Sequence, residues 1–156
     1  MIDFMTETTK HVNTSNAHRV GGDDTYERVI EQIHKDNVCP FCPDQLEKYH
    51  KNPIIKRTEY WTLTTNMYPY KNSKFHFLLI LKNHKNDTGE LSKEEWSELH
   101  ENTNWLVKEY DLPGATLMMR CGDTSHTGAS VTHLHAHFVA PDFNNPDREA
   151  IMARLG

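Results

Sequence analysis

The chain has 156 residues, 37% hydrophobic and 25% charged, which describes one globular, soluble domain with enough apolar material for a real core. Its formal net charge of -5 argues against an extended nucleic-acid partner, which would call for a basic face, but leaves room for a local pocket that takes one nucleotide. No apolar run approaches about 18 residues and the N-terminal stretch lacks an apolar leader core, so no membrane partner is expected and the cytoplasm is the expected compartment.

Residues 1–22 are polar, rich in Thr, Asn and His, and close on Gly21-Gly22; they read as a flexible tail ahead of one domain over 23–156. Tyr26, Val29, Ile30 and Ile33 fall at i, i+3, i+4 and i+7, so a helix is expected over about 24–35, capped by Asp23 or Asp24. It delivers the chain to Cys39-Pro40-Phe41-Cys42 and a polar, turn-like stretch over 43–52. Residues 54–58 and 60–65 are β-branched and aromatic and read as two strands. After a turn at 68–73, the run 75–81 is apolar except for His76, the pattern of a central strand, and it ends at Lys82-Asn83-His84.

The clearest helix covers about 92–110. Ser92 and Glu95 form a capping-box pattern, Trp96, Leu99, Thr103, Leu106, Val107 and Tyr110 keep helical spacing, and Pro113-Gly114 stops it. A strand over 115–120 and a polar loop over 121–127 follow. Next comes Gly128-Ala129-Ser130-Val131-Thr132-His133-Leu134-His135-Ala136-His137, read as a strand. Its alternation places all three imidazoles on one face and turns Leu134 and Ala136 into a core. A break over 141–146 precedes a short helix expected from Asp147. The sum is α+β: about five strands in an antiparallel meander, one long inserted helix and short flanking helices.

Two constellations carry chemistry. Cys39 and Cys42 have the spacing that lets two thiolates reach one tetrahedral ion such as zinc. Two ligands are too few, and His84 and the histidine strand are natural sources of the others. The same pair could be a redox dithiol, as in a glutaredoxin, or two inert buried thiols. The redox reading wants a strand before the motif and a helix at it, whereas here a helical pattern precedes it and Pro43-Asp44 follows. An odd total of three cysteines fits a disulfide framework poorly. In the second constellation, His133, His135 and His137 are candidates for nucleophile, general acid–base group or metal ligand. One ion cannot easily take all three, since i and i+4 on a strand lie roughly 13 Å apart, whereas a phosphate and its neighbouring groups can be lined by them. Gly128 lets a ligand approach the backbone, and Ser130 offers a hydroxyl and an N–H to an anion.

Gly-x-Ser-Val-x-His-x-His-x-His resembles the signature of the histidine triad (HIT) superfamily. His76-Phe77-Leu78-Leu79-Ile80-Leu81-Lys82-Asn83-His84 is similar to that family's strand ending in Pro-Lys-x-His, with Leu81 in place of the proline. The order of blocks also agrees over about 25–141. The resemblance implies a HIT fold and transfer or hydrolysis of nucleotides at the α-phosphate, with no catalytic metal. It implies His135 as the nucleophile that forms a nucleotidyl-imidazole, His137 on phosphate oxygens or the leaving group, and Ser130 holding the phosphate. In zinc-bearing branches the ligands match Cys39, Cys42, His84 and His133, a closed structural site that would also pin the strand carrying His135. A homodimer is implied as well.

Departures leave the branch open between Hint-like proteins and dinucleoside-polyphosphate hydrolases or phosphorylases. The loop before the triad lacks the asparagine usual in Hint-type members, and Arg120, Asp123 or His126 would have to substitute. Val139-Ala140-Pro141-Asp142 stands where a phosphorylase would have Val-Pro-Arg-Trp. The nucleoside is expected between the hairpin and the triad, near Asn66, Tyr68 and Phe41. The expected activity is hydrolysis or nucleotidyl transfer on a nucleoside phosphoramidate or dinucleoside polyphosphate. The alternatives are phosphorolysis, or nucleotide binding with little catalysis.

Overall fold

The computed structural model describes residues 10–17 and 24–156. In chain order, its elements are a 3-10 turn at Thr14–Asn16, α1 (Thr25–Asp36), α2 (Leu46–Tyr49), β1 (Ile54–Arg57), β2 (Trp61–Thr65), β3 (Ser73–Leu81), a 3-10 turn at Thr88–Glu90, α3 (Lys93–Glu109), β4 (Thr116–Met119), α4 (Thr124–Thr127) and β5 (His135–Pro141). The five strands form one antiparallel sheet in the order β1-β2-β3-β5-β4, so the expected α+β class is the one observed, but the expected meander is not: β5, not β4, lies beside β3. Among the described residues, no helix is long and apolar enough to cross a membrane.

The alternation of strand side chains divides the sheet into two faces with different jobs. Phe77, Leu79 and Leu81 of β3, with Leu134, Ala136, Phe138 and Ala140 of the last strand region, face Leu99 and Leu106 of α3 and form the main core. His76, Leu78 and Ile80 of β3, with His135 and His137 of β5, occupy the opposite face. Register explains their proximity, because Leu78 pairs with His137 and Ile80 with His135. Leu78 and Ile80 pack with Leu46 of α2.

The long helix forms as its sequence dictates. Ser92 accepts the Glu95 N–H and the Glu95 carboxylate accepts the Ser92 N–H, a reciprocal capping box that satisfies two of the helix's otherwise orphaned donors. Glu95 is 2% exposed yet carries a charge. Its oxygens accept from Lys85 Nζ at 3.0 and 2.8 Å and from Asn83 at 3.3 Å. Lys85 in turn accepts the Leu134 N–H at 2.8 Å, so this ion pair holds the segment after β3 against the histidine strand.

Four further expectations are corrected here. The strand of the triad begins at His135, not at residue 128. Residues 128–134 instead leave α4 through Gly128, whose φ of 74° glycine tolerates best, and then pair with the N-terminal segment. Val12 bridges Val131, the Asn13 N–H donates to Ser130 O at 2.8 Å, and the Thr132 N–H donates to His11 O at 3.0 Å. The second correction follows, for where a tail was expected over 1–22, residues 10–17 are packed, with Val12 and Ala17 buried against Ile30, Ile33 and Val131. The other residues of that stretch lie outside those described. Third, no helix follows Asp147; residues 148–156 run without regular structure across the face of the molecule described below. Fourth, Asp24 occupies the N-cap of α1 but makes no capping bond, its carboxylate taking Arg28 instead, and Asp23 lies outside the described residues.

Candidate active site and metal-ligand cluster

The loop after α1 brings Cys39 and Cys42 to the end of β3, where His84 and His133 meet them. Cys39 Sγ lies 3.3 Å from His133 Nδ1, Cys42 Sγ lies 3.3 Å from His84 Nδ1 and 3.7 Å from His133 Nδ1, and the two Nδ1 atoms are 3.1 Å apart. The ligand atoms of all four residues lie within 4.8 Å of one another, so they could hold one metal ion. His133 is fully buried and its Nε2–H donates to Leu81 O at 2.6 Å, which leaves the lone pair on the Nδ1 that faces the thiols. Burial pushes His133 down to about 4, so the ring is neutral at pH 7, the form that ligates. Burial also pushes the Cys39 thiol up to about 12. The redox geometry is absent locally, since Cys42 opens a turn into α2 with no strand leading into the motif.

Next to this cluster lies a pocket of about 650 Å³ lined by His135, His137, Arg120, Ser130, Gly128, Asn66 and the aromatic rings of Phe41, Tyr26, Tyr68 and Tyr70. Its histidines are not free to choose a tautomer. His135 Nδ1–H donates to His133 O at 2.9 Å, so the Nε2 lone pair is the one left to react. Desolvation pushes His135 down to about 4, so it is a neutral imidazole near pH 7. Phe41 meets its ring edge-on at 4.9 Å.

His137 is fixed through a second histidine. The Tyr70 N–H donates to His76 Nδ1 at 3.0 Å, which places the His76 proton on Nε2. That proton is donated to His137 Nδ1 at 2.8 Å, which places the His137 proton on its own Nε2. Tyr70 stacks on His137 with centroids 5.7 Å apart and planes at 17°. His137 therefore presents an N–H donor and His135 a lone pair, two different functions from one repeated residue.

His133 thus falls in the metal-ligand cluster and His135 and His137 in the pocket, although all three project from one face of the strand region. Ser130 lies at the pocket's edge with its Oγ against the Tyr26 hydroxyl. Gly128 lines the same edge. Asn66 also lines the pocket; its Oδ1 accepts the Tyr68 N–H at 2.8 Å and its Nδ2 lies 3.2 Å from His76 Nε2. Among the three candidates for the missing loop asparagine, Arg120 reaches the pocket. Asp123 instead caps α4 by accepting the Ser125 N–H at 2.9 Å, and His126 is exposed within that helix. Sequence alone gives His76 no role, marking it as an interruption of an apolar run and the start of a family-like strand. The available signal was a histidine inside an otherwise apolar central strand, which is costly to bury without a partner.

Comparison with known proteins agrees with the fold. The model of the family described as scavenger mRNA decapping enzyme C-terminal binding matches residues 38–153. A search of the curated proteins finds no match. Among solved structures, a HIT family hydrolase from Clostridium thermocellum is 20% identical, covering 65% of this chain and 90% of its own, with a TM-score of 0.53. A zinc-bound histidine triad family protein from Mycobacterium smegmatis is 19% identical, covering 75% of this chain and 84% of its own, with a TM-score of 0.55. The diadenosine triphosphate hydrolase of Plasmodium falciparum is 20% identical, covering 61% of this chain and 65% of its own, with a TM-score of 0.51.

Proposed function

The chain belongs to the histidine triad superfamily, through the scavenger mRNA decapping enzyme C-terminal family, and from that premise we propose that it hydrolyses or transfers nucleotides at the α-phosphate through a nucleotidyl-His135 intermediate. The observation that carries the proposal is the pair of fixed tautomers: a His135 lone pair and a His137 N–H donor, side by side with ring centroids 5.0 Å apart in one pocket. A neutral, desolvated imidazole is a competent nucleophile at pH 7, and splitting one displacement into two eases each step. His135 Nε2 attacks phosphorus, the bond to the leaving group breaks, and its electron pair departs with that group. Water then attacks the same phosphorus and gives up a proton to solvent, the P–N bond breaks, and the pair returns to Nε2. His137 Nε2–H and the Ser130 hydroxyl donate to phosphate oxygens and stabilise charge that builds there. Asn66 contributes by holding the Tyr68 backbone.

Cys39, Cys42, His84 and His133 would hold a structural zinc ion. Four donors at zinc's usual bond lengths stand roughly 3.3–3.8 Å apart at the corners of a tetrahedron, and four of the six donor separations, 3.1–3.7 Å, support that fit within a cluster whose donors all lie within 4.8 Å of one another. Such an ion supplies charge that stabilises buried thiolate and fixes the His133 ring. The His133 carbonyl is the one that orients His135, so the ion would support the nucleophile without touching substrate. A homodimer is part of the same proposal; β4 lies at the sheet edge with Leu117 exposed, a surface suited to a second copy.

The test is turnover of a nucleoside phosphoramidate and a dinucleoside polyphosphate by wild type and His135→Ala, with products identified. Turnover is expected to fall to background in the variant, and quenched wild type is expected to carry a nucleotidyl adduct on His135. Unchanged turnover in the variant sinks the nucleophile assignment. Added inorganic phosphate separates the hydrolase from a phosphorylase: monophosphate as the product in its presence supports the former, diphosphate the latter.

A further inference from the structure

Resting on that reading, we propose that Arg120 is the specificity-determining residue that recognises a second phosphate, so that the preferred substrates are pyrophosphate-linked nucleotides rather than phosphoramidates. Arg120 directly follows β4, and its guanidinium turns into the pocket. Nη1 lies 3.3 Å from His137 Nε2, and Nη2 lies 3.3 Å from the Tyr70 hydroxyl. Nε is buried and, among the described residues, has no hydrogen-bond partner.

The contact with His137 is the informative one. Because His76 donates to His137 Nδ1, His137 carries its proton on Nε2, and a guanidinium has only donors. Two donors 3.3 Å apart cannot satisfy each other; they can both satisfy one anionic oxygen placed between them. The charge itself is also left over. None of the ion pairs among the described residues involves Arg120. A part-buried guanidinium with no carboxylate is costly unless an anion completes it.

A stand-in for that anion is already present. The Arg154 carbonyl oxygen accepts from Arg120 Nη2 at 2.6 Å. The segment that carries it is also held at Ala150, whose carbonyl accepts from Asn72 Nδ2 at 3.1 Å. It marks where an acceptor oxygen sits, and a phosphate oxygen with full charge would displace a neutral carbonyl there.

The chemistry then separates substrate classes. When His135 Nε2 attacks the α-phosphorus of a pyrophosphate link, the bond to the bridging oxygen breaks and its electron pair becomes negative charge on the departing β-phosphate. Arg120 meets that growing charge with a fork that matches phosphate. In a phosphoramidate the departing nitrogen takes a proton from His137 Nε2–H and leaves as a neutral amine, and no anionic leaving group forms. A guanidinium has less to do there.

The experiment compares kcat/KM on a dinucleoside tetraphosphate and a nucleoside 5′-phosphoramidate for wild type, Arg120→Gln and Arg120→Lys, and the binding of ADP and AMP by calorimetry. In Arg120→Gln the tetraphosphate value is expected to fall about 100-fold, the scale of one transition-state donor, and several times more than the phosphoramidate value. Arg120→Lys, which keeps charge without the fork, should fall between. The ADP-over-AMP preference of wild type should disappear in Arg120→Gln. Equal losses on both substrates, or an unchanged ADP-over-AMP ratio, overturn the proposal. If instead His135→Ala leaves turnover unchanged while the ADP preference still depends on Arg120, the nucleotidyl-transfer reading fails and the second-phosphate assignment stands.

Discussion

Replacing Glu95 with glutamine tests whether the loop behind the histidines is held by a buried charge. Glu95 is 2% exposed and its two oxygens serve two contacts from Lys85, one from Asn83 and one from the Ser92 N–H. Glutamine keeps the shape but turns one acceptor into a donor, so whichever way the amide points, it faces two donors. Breaking a buried pair from one side costs about 3–5 kcal/mol. The Lys85 side chain is 23% exposed and can turn partly to water, so the low end, about 3 kcal/mol, is expected. For a domain of this size that is a fall in Tm of roughly 6–12 °C. The sign with pH is fixed by the carboxylate. Burial alone would raise Glu95, but Lys85, the Ser92 N–H and Asn83 together hold it below its ordinary 4.5. Its stabilisation is therefore complete above 4.5 and is lost as pH falls through the lower folded value. Thermal unfolding of both proteins at pH 7 and at pH 3 reads this directly. The gap should be wide at pH 7 and shrink at pH 3. A gap under about 1 kcal/mol at pH 7, or one that does not shrink, refutes the account.

Metal analysis of gently purified protein should find about one zinc per chain, falling in Cys42→Ser and His133→Ala; under about 0.3 in wild type counts against the site. Burial holds His50 below 6.5, with its Nε2 2.8 Å from Thr64 Oγ1. The unfolded chain then takes that proton first, so stability is full above 6.5 and declines on acidification. His50→Gln should flatten the decline in Tm as pH falls below 6.5, and an unaltered slope excludes His50 as a cause. Gly128→Ala should cost about 1–2 kcal/mol, because φ is 74° and a Cβ would stand 3.4 Å from Arg154 Cγ; urea unfolding within 0.3 kcal/mol of wild type would show that the turn relaxes freely.

What could be read from the residues and what could not divides along a physical line. The 133–137 alternation was legible because Leu134 and Ala136 have to reach a core, and the sheet confirms that division of faces. The capping box at Ser92 and Glu95 was legible because it is local. Boundaries set by partners distant in sequence were not. Residues 128–132 look like strand, yet their N–H and C=O groups go to residues 11–13, a pairing that no local pattern announces. The helix expected from Asp147 is replaced by a segment without regular structure, two of whose carbonyls, at Ala150 and Arg154, accept from Asn72 and Arg120. His76 and Arg120 could not be assigned for the same reason: their significance lies in distances to His137 across 61 and 17 residues of chain.

Both pocket imidazoles take their protonation pattern from backbone atoms. The His133 carbonyl sets His135, and the Tyr70 N–H, relayed through His76, sets His137. The first of these carbonyls belongs to a residue whose ring faces Cys39, Cys42 and His84, and the second relay depends on the register that places His76 beside β5. A solvent-exposed histidine pair would sample both tautomers of each ring, and only some combinations would pair a nucleophile with a donor. Here the fold removes that choice before substrate arrives. This makes His76 a positioning residue with a distinguishable signature: His76→Gln, whose amide can still donate to His137 Nδ1, should retain far more turnover than His76→Leu, which cannot. Equal losses in the two would mean that His76 fills space and that His137 finds its tautomer without it.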